Sequence, residues 1–138
     1  HKPVINWTSF ALTADAVPYF GRYWLGAMPW EDPEHYWERS PLSLVGNVTT
    51  PTLVLVGADD YRTPRSEAEQ YYAALKLQGV DTALVVTPDS SHNNLSQTPS
   101  QQAARTASVI AWFDKYRAGE DEVEGTRPSG PATMDTGE

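Results

Sequence analysis

Thr52-Leu-Val-Leu-Val-Gly57 and Thr82-Ala-Leu-Val-Val-Thr87 are two unbroken apolar runs of strand length, and the segment between them decides the fold. Continuous rather than alternating apolarity marks strands covered on both faces, as in a parallel sheet. Gly57-Ala58-Asp59-Asp60 closes the first run with turn chemistry. Thr63-Pro64 then reads as a helix start, with Thr63 as N-cap and Pro64 at the first helical position. Ala68, Tyr71, Tyr72 and Leu75 recur at helical spacing and supply one apolar face. Glu67 and Glu69 near its start and Lys76 near its end suit the helix dipole. Gly79 stands where a left-handed C-cap is expected, and Pro88 ends the second run. Strand, helix and strand in about forty residues make a βαβ unit, whose crossover is parallel and right-handed.

Outward from this unit, a polar loop runs from Asp89 to Thr98, and a last helix starts at Pro99 or Ser100. Its apolar positions Ala103, Ala107, Ile110 and Phe113, with Val109, Trp112 and Tyr116 beside them, hold a helical period to about Arg117 and should pack back on the sheet. Residues 118–138 are rich in Gly, Pro, Ser and Thr and hold five of the eight net negative charges. Such a segment cannot offset its own ordering entropy and reads as a disordered acidic tail. The folded part is expected over residues 1–117.

Upstream, Pro3-Val-Ile-Asn-Trp7 reads as a short strand. Residues 9–28 read as helical with a break near Pro18 and Gly21. Glu31–Arg39 reads as a short helix with Asp32 as N-cap and Pro33 at its first position. Trp7, Trp24, Trp30 and Trp37 crowd this half together with five Tyr and Phe residues. That density suits either core packing or the wall of an apolar pocket.

Composition removes several function classes. The chain of 138 residues contains no cysteine, which excludes a disulfide framework, a thiolate zinc site and a Cys nucleophile. A net charge of −8 argues against a nucleic-acid partner that tracks phosphates. No apolar run is long enough for a transmembrane helix. His1, His35 and His92 are too dispersed to signal a metal site. The chain begins at His1 rather than Met, with no signal-peptide pattern, and reads as starting within a longer polypeptide. The compartment stays open between cytoplasmic and exported.

Chemistry points to the two loops that follow the strands. Ligands of open α/β sheets bind beyond the carboxyl ends of the strands. The first loop offers Asp59 and Asp60, and the second offers His92, 32 residues after Asp60. That is the strand-to-strand repeat of the βαβ unit, so an Asp and a His should stand side by side. A carboxylate that accepts the imidazole Nδ1–H fixes its tautomer and stabilises the cation formed on proton uptake. Asp before His is also the order of the α/β-hydrolase triad, in which the Ser comes earlier.

A longer series of motifs carries a resemblance. Pro29-Trp-Glu-Asp-Pro33, Tyr36-Trp37, Ser40-Pro41-Leu42, Thr50-Pro51-Thr52-Leu53 and Gly57-Ala58-Asp59-Asp60-Tyr61-Arg62-Thr63-Pro64 follow one another in order. Glu69-Gln70, Ala74-Leu75-Lys76, Gly79-Val80, His92 and Ala111-Trp112-Phe113 continue the series. Over roughly residues 3–117 the chain resembles the catalytic domain of the prolyl oligopeptidase family, most closely its acylaminoacyl-peptidase and dipeptidyl-aminopeptidase-like members.

The resemblance implies an α/β class, a partial α/β-hydrolase fold with a mostly parallel sheet flanked by helices. It implies a serine-type hydrolase of short or N-acylated peptides with a Ser-His-Asp triad and no cofactor or metal. The family's Gly-x-x-Asp-x-Arg-x-Pro turn selects Asp60 over Asp59, and its His loop selects His92. Arg62 matches the family's Arg and either braces the loop or meets substrate. Asp89 stands where family members often have Gly in the His loop. No Gly-x-Ser-x-Gly elbow occurs in the chain, so the resemblance places the nucleophile roughly 25–40 residues before His1. The oxyanion hole and a gating β-propeller would precede it. The chain would then hold the base and its orienter without the Ser, and would be inactive and prone to aggregate alone. An α/β-hydrolase esterase and a non-catalytic, degenerate hydrolase or interaction domain are the alternatives.

Overall fold

The computed structural model describes residues 1–16, 19–93 and 97–124, with side chains described as far as Arg117. The elements, in chain order, are α1 (Trp7–Thr13), a π-helical turn (Phe20–Leu25), α2 (Pro33–Arg39), a 3-10 segment (Pro41–Asn47), β1 (Thr52–Gly57), α3 (Arg65–Leu77), β2 (Thr82–Thr87) and α4 (Pro99–Glu124).

β1 and β2 pair in parallel, with Thr52 opposite Thr82 and Gly57 opposite Thr87. The expected βαβ unit is present over the residues that define it. Val54, Leu55 and Val56 are all buried, so β1 is covered on both faces. On one face Val54, Val56 and Ala68 form a cluster joined by Tyr71, Leu84 and Val86, which seats α3 on the sheet. On the other, Leu53 and Leu55 share a groove with Val109, Trp112 and Phe113 of α4. α3 ends in a Schellman motif: Val80 N–H donates to Leu75 O (3.0 Å) and Gly79 N–H to Lys76 O (3.0 Å). Gly79 takes φ 76°, a conformation other residues adopt at a cost.

Three local expectations change. α3 starts at Arg65 with Pro64 as its cap residue and no side-chain capping bond. Thr63 is not its N-cap, because the Thr63 hydroxyl turns to Asp60 instead. Pro3–Trp7 is not a strand. Asn6 caps α1 by accepting from Thr8 N–H (3.1 Å), and the N–H groups of Ile5 and Asn6 donate to Glu67 Oε2 (3.0 and 2.9 Å). Glu67 sits in the first turn of α3, as the helix dipole favours, and is also fully buried, anchoring α1 from α3 with the help of Ser9 and Gln70.

On α4, Ala103, Ala107, Ile110 and Phe113 face solvent, while Gln101, Arg105, Ser108, Val109, Trp112 and Tyr116 form the half-buried stripe. The two sets lie on nearly opposite faces of the helix at about 100° per residue, and the sheet covers the second. The helix also continues past Arg117 to Glu124, into the segment expected as tail. The rest of that tail, 125–138, lies outside the described residues, as does the expected break at Pro18.

The aromatic half divides between the two roles foreseen for it. Phe10, Ala14 and Phe20 form a buried cluster with Val4, Trp7 and Ala16 against it. Trp7 and Trp24 also line an open groove of about 390 Å³ with Leu25, His35 and Arg39. Trp30 and Trp37 are exposed. Asp32 caps α2 as expected, accepting from His35 N–H (3.1 Å). Among the described residues no helix is long and apolar enough to cross a membrane.

Candidate active site

The site forms where β1 and β2 end. Because Gly57 and Thr87 are register partners, the two loops leave the sheet side by side. Ala58 N–H donates to Thr87 O (2.9 Å) and Asp59 N–H to Ser90 O (3.1 Å), which locks one loop to the other. This approach requires Gly57: a Cβ there would lie 2.1 Å from Ser90 O, a backbone atom that cannot swing away.

Asp60 follows the turn and is 2 % exposed. A buried carboxylate must have its oxygens filled by donors, and here the chain supplies them locally. Arg62 N–H (3.1 Å) and Thr63 N–H (2.8 Å) donate to Oδ1, and the Thr63 hydroxyl donates to Oδ2 (3.0 Å). His92 Nδ1 lies 3.1 Å from Oδ1 and 3.0 Å from Oδ2. The structure thus brings His92 together with Asp60, the one of the two turn carboxylates that the resemblance selects. The carboxylate can only accept, so Nδ1 carries the proton and Nε2 is left with its lone pair. The imidazole is 37 % exposed, reachable from solvent while its partner is not. Such an arrangement can take a proton at Nε2 and stabilise the resulting cation.

The His loop reaches this position through Asp89, whose φ of 48° is left-handed. That is the conformation a Gly supplies without cost, and Asp is among the few other residues that adopt it readily. Asp89 thus holds a conformation that Gly would also supply. Ser90, next in the chain, is fully buried, and its hydroxyl accepts from Gln97 Nε2 (2.7 Å).

Around the pair lies a cleft of about 220 Å³ lined by Asp15, Asp59, Tyr61, Arg62 and His92, among others. Arg62 is engaged by Asp15, with Nε 2.6 Å from Oδ1 and Nη2 3.3 Å from Oδ2. Asp15 N–H donates to Tyr61 O (2.8 Å), so the pair ties the end of α1 to the Asp loop. The hydrogen bond from Arg62 holds the Asp15 carboxyl below the usual range, with smaller help from the positive charge of Arg62. Asp15 in turn raises Arg62 further. Burial pushes the Lys2 ammonium down against the pull of the Asp60 charge, and Arg105 adds a smaller push.

Asp59, the turn residue not selected, lines the cleft rim. His35 and His1 lie elsewhere, in the aromatic groove and beside Arg105. Among the described residues no group of three His, Asp or Glu could hold a metal ion. Sequence reasoning missed Gly57, Thr63 and Asp15 as parts of the site. A glycine ending a buried strand was a usable signal of close backbone approach. Thr63 was visible only as a cap candidate, and Asp15 carries no local signal.

Comparison with known proteins bears on family and fold. The family model described as "Prolyl oligopeptidase family" matches residues 1–120. The "Uncharacterized peptidase YuxL" of Bacillus subtilis (strain 168) is 41 % identical over 117 residues, which is 83 % of this chain and 18 % of that protein. The acylamino-acid-releasing enzyme of Arabidopsis thaliana is 36 % identical over 86 residues, 62 % of this chain and 11 % of that protein. Among solved structures, Pyrococcus horikoshii acylaminoacyl peptidase superposes with a TM-score of 0.75 at 24 % identity, covering 82 % of this chain and 19 % of that one. The fold is that of an α/β hydrolase, with a small parallel sheet flanked by helices. The chain spans less than a fifth of the length of these relatives.

Proposed function

The chain belongs to the prolyl oligopeptidase family, and on that premise we propose that it supplies the general base and its orienting carboxylate to a serine-type peptidase. The observation that carries this reading is the buried Asp60 carboxylate holding Nδ1 of a solvent-reachable His92. His92 Nε2 takes the proton of a serine hydroxyl as its oxygen attacks the scissile carbonyl. It then delivers that proton to the leaving amine, and the acyl-enzyme is hydrolysed by the same base acting on water. Asp60 fixes the tautomer and stabilises the imidazolium. Arg62, its guanidinium taken up by Asp15, braces the Asp loop rather than meeting substrate.

The nucleophile comes from polypeptide outside these 138 residues, since no serine here sits in a Gly-x-Ser-x-Gly elbow. Residues 1–117 act as the C-terminal part of the hydrolase domain, and 118–138 as an acidic extension whose first part continues α4 to Glu124. The substrates are short or N-acylated peptides, in line with relatives named as acylamino-acid-releasing enzymes. In the full-length protein, His92→Ala should lower kcat for an N-acylated peptide by about 10⁴-fold or more. Retention of activity would defeat the assignment. Labelling with a fluorophosphonate and mapping the modified serine by mass spectrometry should find it outside residues 1–138. A label inside would refute the external nucleophile, and turnover of esters with none of peptides would favour an esterase.

A further inference from the structure

We propose that Thr63 is a positioning residue that selects the basic tautomer of His92, a role that rests on the reading of Asp60 and His92 as orienter and base. Thr63 stands at a helix start, where its hydroxyl would ordinarily cap the helix. Here the cap position passes to Pro64 and makes no side-chain bond, so the hydroxyl is released for other use. It is nearly buried, at 8 % exposure, and it lies between the two members of the pair: Oγ1 is 3.0 Å from Asp60 Oδ2 and 3.4 Å from His92 Nδ1.

A hydroxyl has one proton to give. Asp60 Oδ2 can only accept, so that proton is committed to the carboxylate. Toward His92 the oxygen then presents a lone pair. An unprotonated Nδ1 would meet three lone-pair-bearing oxygens, two from Asp60 and one from Thr63. A protonated Nδ1 meets three acceptors. Thr63 thus adds to the demand that the ring proton sit on Nδ1 and leave Nε2 free to act. It also balances the carboxylate. Oδ1 is held by two backbone N–H groups, whereas Oδ2 has the Thr63 hydroxyl as its donor apart from His92. Without that hydroxyl Oδ2 keeps only the contact to His92 among those described, and rotation about the Cβ–Cγ bond would carry the imidazole with it.

The test compares Thr63→Val, which keeps the shape and removes the hydroxyl, with Thr63→Ser, which keeps the hydroxyl and removes the methyl, in the full-length protein. Thr63→Val should lower kcat about tenfold, the size of one hydrogen bond to a charged group, with KM little changed. It should also broaden or shift the deshielded Nδ1–H proton resonance of His92. Thr63→Ser should keep both near wild type. If Thr63→Val retains kcat and the resonance, or if Thr63→Ser loses as much as Thr63→Val, the proposal falls. Should Thr63→Val fail to fold, Thr63→Ala against Thr63→Ser makes the same comparison. Full activity in His92→Ala would remove the underlying catalytic reading. The resonance, which needs no turnover, would still decide whether Thr63 holds the ring proton.

Discussion

The loop after β1 and the loop after β2 start from register partners, Gly57 and Thr87, yet hold their functional side chains by different means. Asp60 is fixed within a short span of its own chain, by the N–H groups of Arg62 and Thr63 and by the Thr63 hydroxyl, just before α3 begins. Among the described residues, His92 is held differently. Its ring is anchored on Asp60, and its backbone is placed two residues earlier by buried Ser90, which accepts Asp59 N–H through its carbonyl and Gln97 through its hydroxyl. The carboxylate loop carries its own geometry, and the imidazole loop borrows its geometry by docking. Errors in alignment should therefore arise at the docking surface.

The largest effect is expected where the loops touch. Gly57→Ala places a methyl on the backbone of Ser90 and must push the His loop away. Stability should fall by about 3 kcal/mol in denaturant unfolding, a severe case of overpacking. Peptidase activity should fall on the order of 100-fold, because a displacement near 1 Å costs that much. Equal activity would mean that the docking does not set the alignment. Ser90→Ala is expected next. It removes a buried acceptor from Gln97 and should cost about 1–2 kcal/mol, with a smaller loss of kcat.

The Asp loop should be less sensitive at its exposed brace. Asp15→Asn should leave the melting temperature at pH 7 close to wild type, because the ion pair is solvent-exposed. The folded-state value of Asp15 is depressed. Any stabilisation by the pair is thus present above the ordinary carboxylate value of about 3.9 and lost as pH falls through the lowered one. Melting curves of wild type and Asp15→Asn should converge on acidification and should not diverge. The smallest effect is expected at Asp89. Asp89→Gly relieves a left-handed conformation and adds unfolded-chain entropy, and the two should cancel to within about 0.5 kcal/mol.

The contrast between local and borrowed geometry also explains what could be read from the amino-acid order. Strand runs, the Gly79 cap and the Asp32 cap are decided by neighbours in sequence, and they lie where the sequence places them. That an Asp of the first loop meets His92 was legible because the parallel repeat converts sequence spacing into adjacency, whereas the choice of Asp60 over Asp59 came from the resemblance. Glu67 was not legible as a buried anchor, because its donors Ile5 and Asn6 lie more than sixty residues away. Thr63 was misread because a cap and a carboxylate compete for one hydroxyl, and only the folded chain shows which receives it. On α4 the expected stripe of Ala103, Ala107, Ile110 and Phe113 and the half-buried stripe lie on nearly opposite faces, and only contact with the sheet shows which one is covered.

The in-register pairing of β1 and β2 also acts as a ruler for change over evolutionary time. A slip of one residue would move His92 by about 3.3 Å along the strand and turn alternate side chains to the other face. Insertions or deletions within either strand should therefore be rejected. The turn at Gln78–Asp81, on the opposite edge of the sheet, can change length without altering the distance from Asp60 to His92. Length variation among descendants of this sequence should collect at that turn.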